Sequence, residues 1–571
     1  MDRVLEHPIS RRRFLAVTAA GSAAVLLGGS GSAVLARPPV LTKAEDAPWF
    51  EASIRDLRKL MARRKLSSVE LTKAYLHRIA ELDPTLHSVI ETNPDALAIA
   101  RRRDRERREG DVRGPLHGIP ILLKDNIATD DRMETTAGSL ALVGSQVPRD
   151  AVVAARLRAA GAVILGKANL SEWANFRGFI PENFPAGLFL NGWSARGGFT
   201  RDPYVLDWDP CGSSSGSGVA PAANLCAAAI GTETDGSVVC PAGNNGVVGL
   251  KPTLGLVSQR GIIPIAHSQD TAGPMARSVT DVAILLNAMK SPFGRVKEHH
   301  VPRDYTGFLR RGALKKARIG VDRRLFDTAY FADPDLNVVT EQALEVMASL
   351  GATIVDPVDA PDPFAFGDAE LTVLFYEFKV DIAKYLKPLR HTSMRTLADL
   401  IAFNKAHCAE EMTYFGQELF EIAEATTGLD DPVYRDARRL CIDLTRRNGI
   451  DKVMREHRLD AIVAPTYSFG SSSPAVAGYP NISLPTGVTA DGRPGGIWMY
   501  GRFLSEPKLL AYAYDLEQEI GGRPLPKYLG ALPPLPPDAG LCPVPLAGQA
   551  PLAPTKVLQR RLRDGRPFPR L

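Results

Sequence analysis

Metal-ligand spacing is missing from this chain. Its six cysteines, Cys211, Cys226, Cys240, Cys408, Cys441 and Cys542, form no CxxC pair and no cluster with histidine, so the pattern offers no metal site. Neither a metal nor a cofactor is expected. A charge bias is missing as well. With 69 basic against 64 acidic residues, the net charge of +5 over 571 residues points to no nucleic-acid partner and no membrane surface. Beyond the N-terminus no apolar run is long enough to span a bilayer, and no segment repeats. The Gly/Ser-rich loop lacks the Gly-Lys-Ser/Thr ending of a phosphate cradle. What remains is an ordinary globular composition, 45% hydrophobic and 23% charged. A core this large needs no disulfides. The thiols are therefore read as small, mostly buried side chains, with a Cys211–Cys240 bridge as the alternative.

The N-terminus carries an address. Ser10-Arg-Arg-Arg-Phe-Leu15 fits the twin-arginine pattern, an apolar Ala/Gly-rich stretch runs from Phe14 to Leu35, and Val34-Leu-Ala36 offers a cleavage site. An uncleaved anchor or a basic tail is the alternative. Residues 1–36 are expected to be a signal peptide, 37–525 the main domain and 526–571 a proline-rich tail. Cleavage removes four arginines and two acids and leaves the mature chain near neutral. It should be periplasmic or secreted, with no stable membrane association.

Ser67-Ser-Val-Glu70 is a capping box. The helix after it should bury Leu71, Tyr75, Ile79 and Leu82 and end before Pro84. Val152–Ala160 reads as a helix, and Gly161–Leu165 as a buried strand. Ile119–Leu123, Ala227–Ile230 and Ala461–Ala464 are apolar runs of the same strand-like kind. Strands alternating with helices predict an α/β fold in which a mixed sheet lies between helical layers. Residues 281–458 look helical and charged, a layer over the sheet or one wall of a cleft. The dozen prolines from Gly521 onward and the basic stretch Gln559–Arg570 suggest an extended wrap or a disordered tail.

Three segments carry the chemistry. Lys124 closes the run His117-Gly-Ile-Pro-Ile-Leu-Leu-Lys124. Gly212-Ser-Ser-Ser-Gly-Ser-Gly218 is a serine loop, and Gly231-Thr-Glu-Thr-Asp-Gly-Ser237 is a second one fed by a strand. A lysine with two loop serines and no obvious histidine partner implies a hydrolase whose serine is activated by a neutral amine. Glycines at both ends of the second loop let its backbone curl, so that N–H groups can form an oxyanion hole beside Ser237. Alternatively Ser237 merely caps the next segment. Gly212-Ser-Ser214-Ser-Gly216 also matches a nucleophile elbow at Ser214, but turn-like Asp207-Trp-Asp-Pro210 precedes it where a strand is required. His267 is read as a hydrogen-bonded loop residue, and Asp270 as a residue that orders nearby backbone.

Together HGIPILLKDN, GSSSGSG, GTETDGSVVCPA, Gly249-Leu-Lys-Pro-Thr253, Asp270-Thr-Ala-Gly-Pro274, Ala464-Pro-Thr466 and Ala477-Gly-Tyr-Pro480 resemble the amidase signature family over roughly residues 50–520. Within it the GTETDGSVVCPA, GLVSQRGIIPIAHSQDTAGPMARS and NLSEWANFRG segments are most similar to bacterial peptide amidases, which release ammonia from C-terminal peptide amides. The resemblance implies Ser237 as nucleophile, Ser213 as bridging serine next to a cis peptide, and Lys124 as base. It also implies an oxyanion hole from the backbone N–H groups of Thr234, Asp235, Gly236 and Ser237. The substrate would be a small or peptide amide, either a peptide C-terminal amide or, for a broader amidase, an aryl or aliphatic one. A cleft that kept the fold but lost turnover is the non-catalytic alternative. Lys167, also at a strand end, is the competing base and is read as structural. The chain departs from the family at Cys211 and Ser215, where glycine is usual, and at Val239, where arginine is common. Phe179–Leu190 looks inserted and Tyr467–Pro474 short, both where pocket walls would lie.

Overall fold

Strands this apolar can exist only where both faces of a sheet are covered. The computed structural model describes residues 46–181, 184–185 and 187–542. In chain order, β1 (Val89–Thr92), β2 (Pro120–Lys124) and β3 (Val163–Ala168) precede a small hairpin of β4 (Trp193–Ser194) and β5 (Gly198–Phe199). Next come β6 (Ala228–Glu233), β7 (Val248–Lys251), β8 (Thr271–Ala276), β9 (Arg318–Val321) and β10 (Thr353–Val355). The last are β11 (Ala461–Pro465), β12 (Asn481–Val488) and β13 (Pro494–Tyr500). Eleven of them form one sheet in the order β1-β3-β2-β6-β8-β7-β12-β13-β11-β9-β10. β2 runs parallel to β3 and β6, with Leu123 level with Lys167 and Ile230. From β6 to β11 neighbours are antiparallel, and β9 runs parallel to β11 and β10.

Every residue of β2, β3, β6, β7, β8, β11 and β13 is buried. Alternate side chains point to opposite faces, so helices must pack on both. The result is a single large α/β domain with a mixed sheet between helical layers, as expected.

The capping box holds. Glu70 N–H donates to Ser67 Oγ at 3.0 Å, Ser67 N–H donates to the Glu70 carboxylate at 2.7 Å, and Leu71, Tyr75, Ile79 and Leu82 are buried. The helix does not end before Pro84 but runs Ser68–Leu86. Its last turn is braced from outside, because Asp83 accepts the Ser88 N–H at 2.8 Å and the Ser88 hydroxyl at 2.6 Å. Residues 281–458 are not purely helical either. β9 and β10 extend the sheet there, hidden in the sequence because each is short and flanked by charge. The twin-arginine segment and the stretch Gln559–Arg570 lie outside the described residues. From Tyr528 to Cys542 the chain lies along the body. Tyr528 is buried, Leu206 N–H donates to the Leu529 carbonyl at 2.8 Å, and Ala539 N–H donates to that of Thr413 at 2.8 Å. Among the described residues, no helix is long and apolar enough to cross a membrane.

Two pairs of thiols are bridged, against the expectation of unbridged cysteines: Cys211–Cys240 and Cys408–Cys542. The first pair, 29 residues apart, is brought to a Cα separation of 5.8 Å by the fold, a proximity that spacing alone does not encode. Cys226 and Cys441 are buried thiols outside the two disulfides. Peptide mapping without reductant is expected to recover both bridges and two alkylatable thiols, whereas four or more free thiols would refute the pairing.

Candidate active site

Lys124 is the last residue of β2 and is fully buried. Its Nζ donates to Ser213 Oγ at 2.6 Å and to the Thr232 carbonyl at 3.3 Å. Burial pulls its pKa down to about 7, although the carboxyls of Asp270 and Glu233 act in the opposite sense. Lys167 on β3 is equally buried and also lowered by burial. It donates to the Ile127 carbonyl and the Thr135 hydroxyl, both at 2.8 Å, and neither partner belongs to a serine loop.

Ser213 stands just before the helix Ser215–Ala222, and the Gly212–Ser213 peptide is cis. A Cβ at Gly212 would sit 2.4 Å from Asn175 Nδ2 and 2.5 Å from Asn191 Oδ1, so a larger residue there would have to displace both amides. The neighbouring serines are occupied. Ser214 Oγ donates to the Thr232 carbonyl at 3.0 Å and accepts the Thr232 N–H at 3.1 Å, which ties it to β6 and removes the nucleophile elbow. The Ser215 hydroxyl donates to the Cys211 carbonyl at 2.7 Å. That bond gives the departure from glycine a structural use.

β6 runs through the first three residues of the second loop to Glu233, so the turn proper is Thr234–Ser237. Ser237 is 8% exposed and lines a cavity together with Thr234, Asp235, Gly236 and Gly212. Gly236 adopts φ +78°, the left-handed conformation that glycine reaches without penalty. The Thr234 hydroxyl donates to Asp270 Oδ1 at 2.6 Å, and Asp270 Oδ2 accepts the N–H groups of Ile265 and Ala266 at 2.8 and 3.0 Å. Asp270 therefore orders backbone as expected, and burial pushes its pKa up to about 7. The Ser471 hydroxyl braces Asp235 at 2.7 Å.

The remaining wall is mixed: an apolar part made of the Cys211–Cys240 bridge, Phe176, Phe331, Leu374, Tyr467, Phe469 and Trp498, and a polar part made of Asn175, Glu370, Ser468, Ser471 and Ser472. The short segment after Tyr467 thus forms pocket wall as expected. No described residue of Phe179–Leu190 lines the cavity. Phe189 packs on Trp208, which packs on Tyr467, so this segment supports the wall from behind.

Among the described residues, no histidine hydrogen-bonds to Ser213 or Ser237. His267 Nδ1 lies 2.6 Å from Asp381 Oδ2, a bond that raises its pKa, and His117 Nε2 contacts the Arg103 carbonyl at 2.9 Å. His267, Glu377 and Asp381 make the one metal-like grouping among the described residues. Their atoms are committed to each other and to Ser268 N–H, Tyr434 and Lys384.

These features fit one family. The amidase family model matches residues 70–475. A probable amidase of Arabidopsis thaliana is 41% identical over 493 residues, covering 84% of this chain and 92% of its own. The X-ray structure of native peptide amidase from Stenotrophomonas maltophilia matches with a TM-score of 0.77 at 50% identity, over 84% of this chain and 99% of that one. This chain belongs to the amidase signature family. The crystal structure of an amidase family protein from Bacillus anthracis matches with the same TM-score, 0.77, at 35% identity, over 85% of this chain and 94% of that one. As an amidase, the chain is a hydrolase acting on amide bonds.

Asp209, which the sequence marks only as part of a turn, anchors this amidase's first loop. Its carboxylate accepts the Cys211 N–H, the Asn191 amide and the Tyr467 hydroxyl, each at 2.9 Å. The available signal was Asp-Pro-Cys, an aspartate that bonds backbone two residues on. Asp209→Ala would strand three buried donors. Thermal or denaturant unfolding is expected to show a loss of about 3 kcal/mol, and a change below about 0.5 kcal/mol would contradict this anchoring.

Proposed function

We propose that this chain is an exported serine amidohydrolase that cleaves linear carboxamides, above all peptide C-terminal amides, through Ser237, Ser213 and Lys124. One observation carries the proposal: a fully buried amine lies 2.6 Å from the hydroxyl of Ser213, the residue that follows Gly212, which lines the same cavity as Ser237. Holding that amine near pKa 7 instead of 10.5 corresponds to about 5 kcal/mol of destabilised ammonium, which makes it a base at neutral pH. Neutral Lys124 takes the Ser213 proton while Ser213 takes that of Ser237, and Ser237 Oγ attacks the carboxamide carbon. The backbone N–H groups of Thr234, Asp235, Gly236 and Ser237 stabilise the oxyanion. As the tetrahedral intermediate collapses, the same relay runs backwards and protonates the departing nitrogen, which leaves as ammonia. Water, deprotonated by the same pair, then releases the acid from the acyl-enzyme.

The choice of peptide amides is supported by the likeness to the Stenotrophomonas maltophilia peptide amidase and by the aromatic cavity wall. Phe331 and Phe469 pack at 4.6 Å between ring centroids, an arrangement suited to an apolar residue next to the amide. Export is supported by the twin-arginine motif and by two disulfides, which persist in oxidising compartments. A broad aryl or aliphatic amidase is the second reading, favoured by the same apolar part of the wall.

Ammonia release from a panel of peptide amides and simple amides discriminates these readings. Peptide amides are expected to give the highest kcat/KM. Equal turnover of simple amides supports the broad amidase, and no product from any amide refutes the enzyme. Phe331→Ala should raise KM for phenylalanine-terminated amides by about tenfold and for glycine amides far less; equal effects would remove Phe331 from the side-chain site. Lys124→Ala should lower kcat by about 10²–10⁴-fold, while Lys167→Ala loses stability but keeps most turnover. Because the base must be neutral, kcat/KM should rise with pH and level off above about 7, and this limb should vanish in Lys124→Ala. A fluorophosphonate that labelled Ser214 and spared Ser237 would overturn the assignment.

A further inference from the structure

The strand feeding the nucleophile turn ends in a carboxyl that the chemistry above leaves unused. Glu233 closes β6 and is 1% exposed. Its Oε2 accepts the N–H groups of Val238 and Val239 at 2.7 and 3.0 Å. These amides open the helix Val239–Asn244 that follows Ser237. The bonds therefore tie the residue before the turn to the residues after it, and Thr234–Ser237 is closed into a loop on one side chain.

Glu233 Oε1 has no hydrogen-bond partner among the described residues, and neither has Lys251 Nζ, Glu506 Oε2 or Ser483 Oγ. All four side chains are buried. Lys251 is level with Asn481 across β7 and β12, and Gly249 with Ser483, so these residues project from one face of the sheet. A Cβ on Gly249 would fall 2.5 Å from Ala242 Cβ and 3.1 Å from the Val238 carbonyl. That face is therefore the one beneath the helix after Ser237. Lys251 faces Glu233, Glu506 and Asp235. Burial lowers its pKa to about 8, opposed by those carboxyls, and raises that of Glu233 against the pull of Lys251 and the two amides. Glu506 caps Thr253 N–H at 2.7 Å with its other oxygen. Lys251 thus acts on the carboxyl that clasps the turn as a nearby charge, without a hydrogen bond between them.

We propose that Glu233, backed by Lys251, is a positioning residue that holds Ser237 and its surrounding amides in attack geometry, so that its loss slows acylation without weakening substrate binding. Two amide donors to one carboxylate are stronger than neutral bonds, and the nearby cation favours the ionised form against the cost of burial. The proposal rests on Ser237 being the nucleophile.

The test uses the full chain with Glu233→Gln, Lys251→Met and the double variant, reading kcat, KM and the rate of Ser237 phosphonylation by a fluorophosphonate. Glu233→Gln should lower kcat and phosphonylation together by roughly 10- to 100-fold at nearly unchanged KM. The double variant should be no slower than the worse single one, because the pair acts as a unit. Phosphonylation of Glu233→Gln within about twofold of the parent, or single effects that simply multiply, would overturn the proposal. If a variant fails to fold, a crystal structure of the parent's phosphonate adduct decides: Glu233 Oε2 should stay within about 3.2 Å of both amides, and a broken pair refutes the role. Labelling at a serine other than Ser237 would sink the nucleophile assignment itself, whereas parent-like labelling of Ser237 in Glu233→Gln sinks only this proposal.

Discussion

A lysine amine taken out of water and set against a serine hydroxyl is the constraint on which the structure turns. An ammonium in a dry interior is costly, and the 2.6 Å contact between Lys124 Nζ and Ser213 Oγ is chemically useful only because the surroundings make the neutral form competitive. Those surroundings are strands. Lys124 ends β2 between β3 and β6, so the same apolar alternation that builds the sheet removes solvent from the amine. The elements that supply the site are few: β2 brings the amine, β6 runs into the Ser237 turn, and the start of the helix Ser215–Ala222 brings Ser213.

Loops that carry chemistry must be held as firmly as strands, and here each is held by a buried carboxyl. Asp209 gathers Cys211 N–H, Asn191 and Tyr467 around the first loop. Glu233 clasps the far side of the second, and Asp270 ties Thr234 to the backbone of Ile265 and Ala266. The Cys211–Cys240 bridge then fastens the two loops to each other. Each carboxyl offsets the cost of its desolvation with N–H or O–H donors, and together they brace the two loops beside the cavity.

Much of this was legible in the residues. The strand-like runs ending at Lys124 and before Gly231 are β2 and β6, and the capping box at Ser67 starts its helix. Lysine and serine were brought together as the motif pattern implied, and His267 proved to be a loop residue bonded to Asp381. What escaped depends on distance through space. β9 and β10 are too short and too closely flanked by charge to stand out as apolar runs. The helix at Pro84 outlasts its proline because Ser88 bonds to Asp83. The disulfides pair residues 29 and 134 positions apart, and the Glu233 clasp on Val238 and Val239 forms only once the chain has turned at Ser237. Local pattern carries strands and turns, whereas clasps and bridges exist only after folding.

The central claim concerns the charge on one nitrogen, and it can be measured directly. With isotopically labelled lysine, an NMR titration of the folded chain, assigned with the Lys124→Ala variant, follows the Lys124 amine itself. An amine that loses its proton near pH 7 is the expected result. An amine that stays protonated to about pH 10, as in a solvated lysine, would contradict the account.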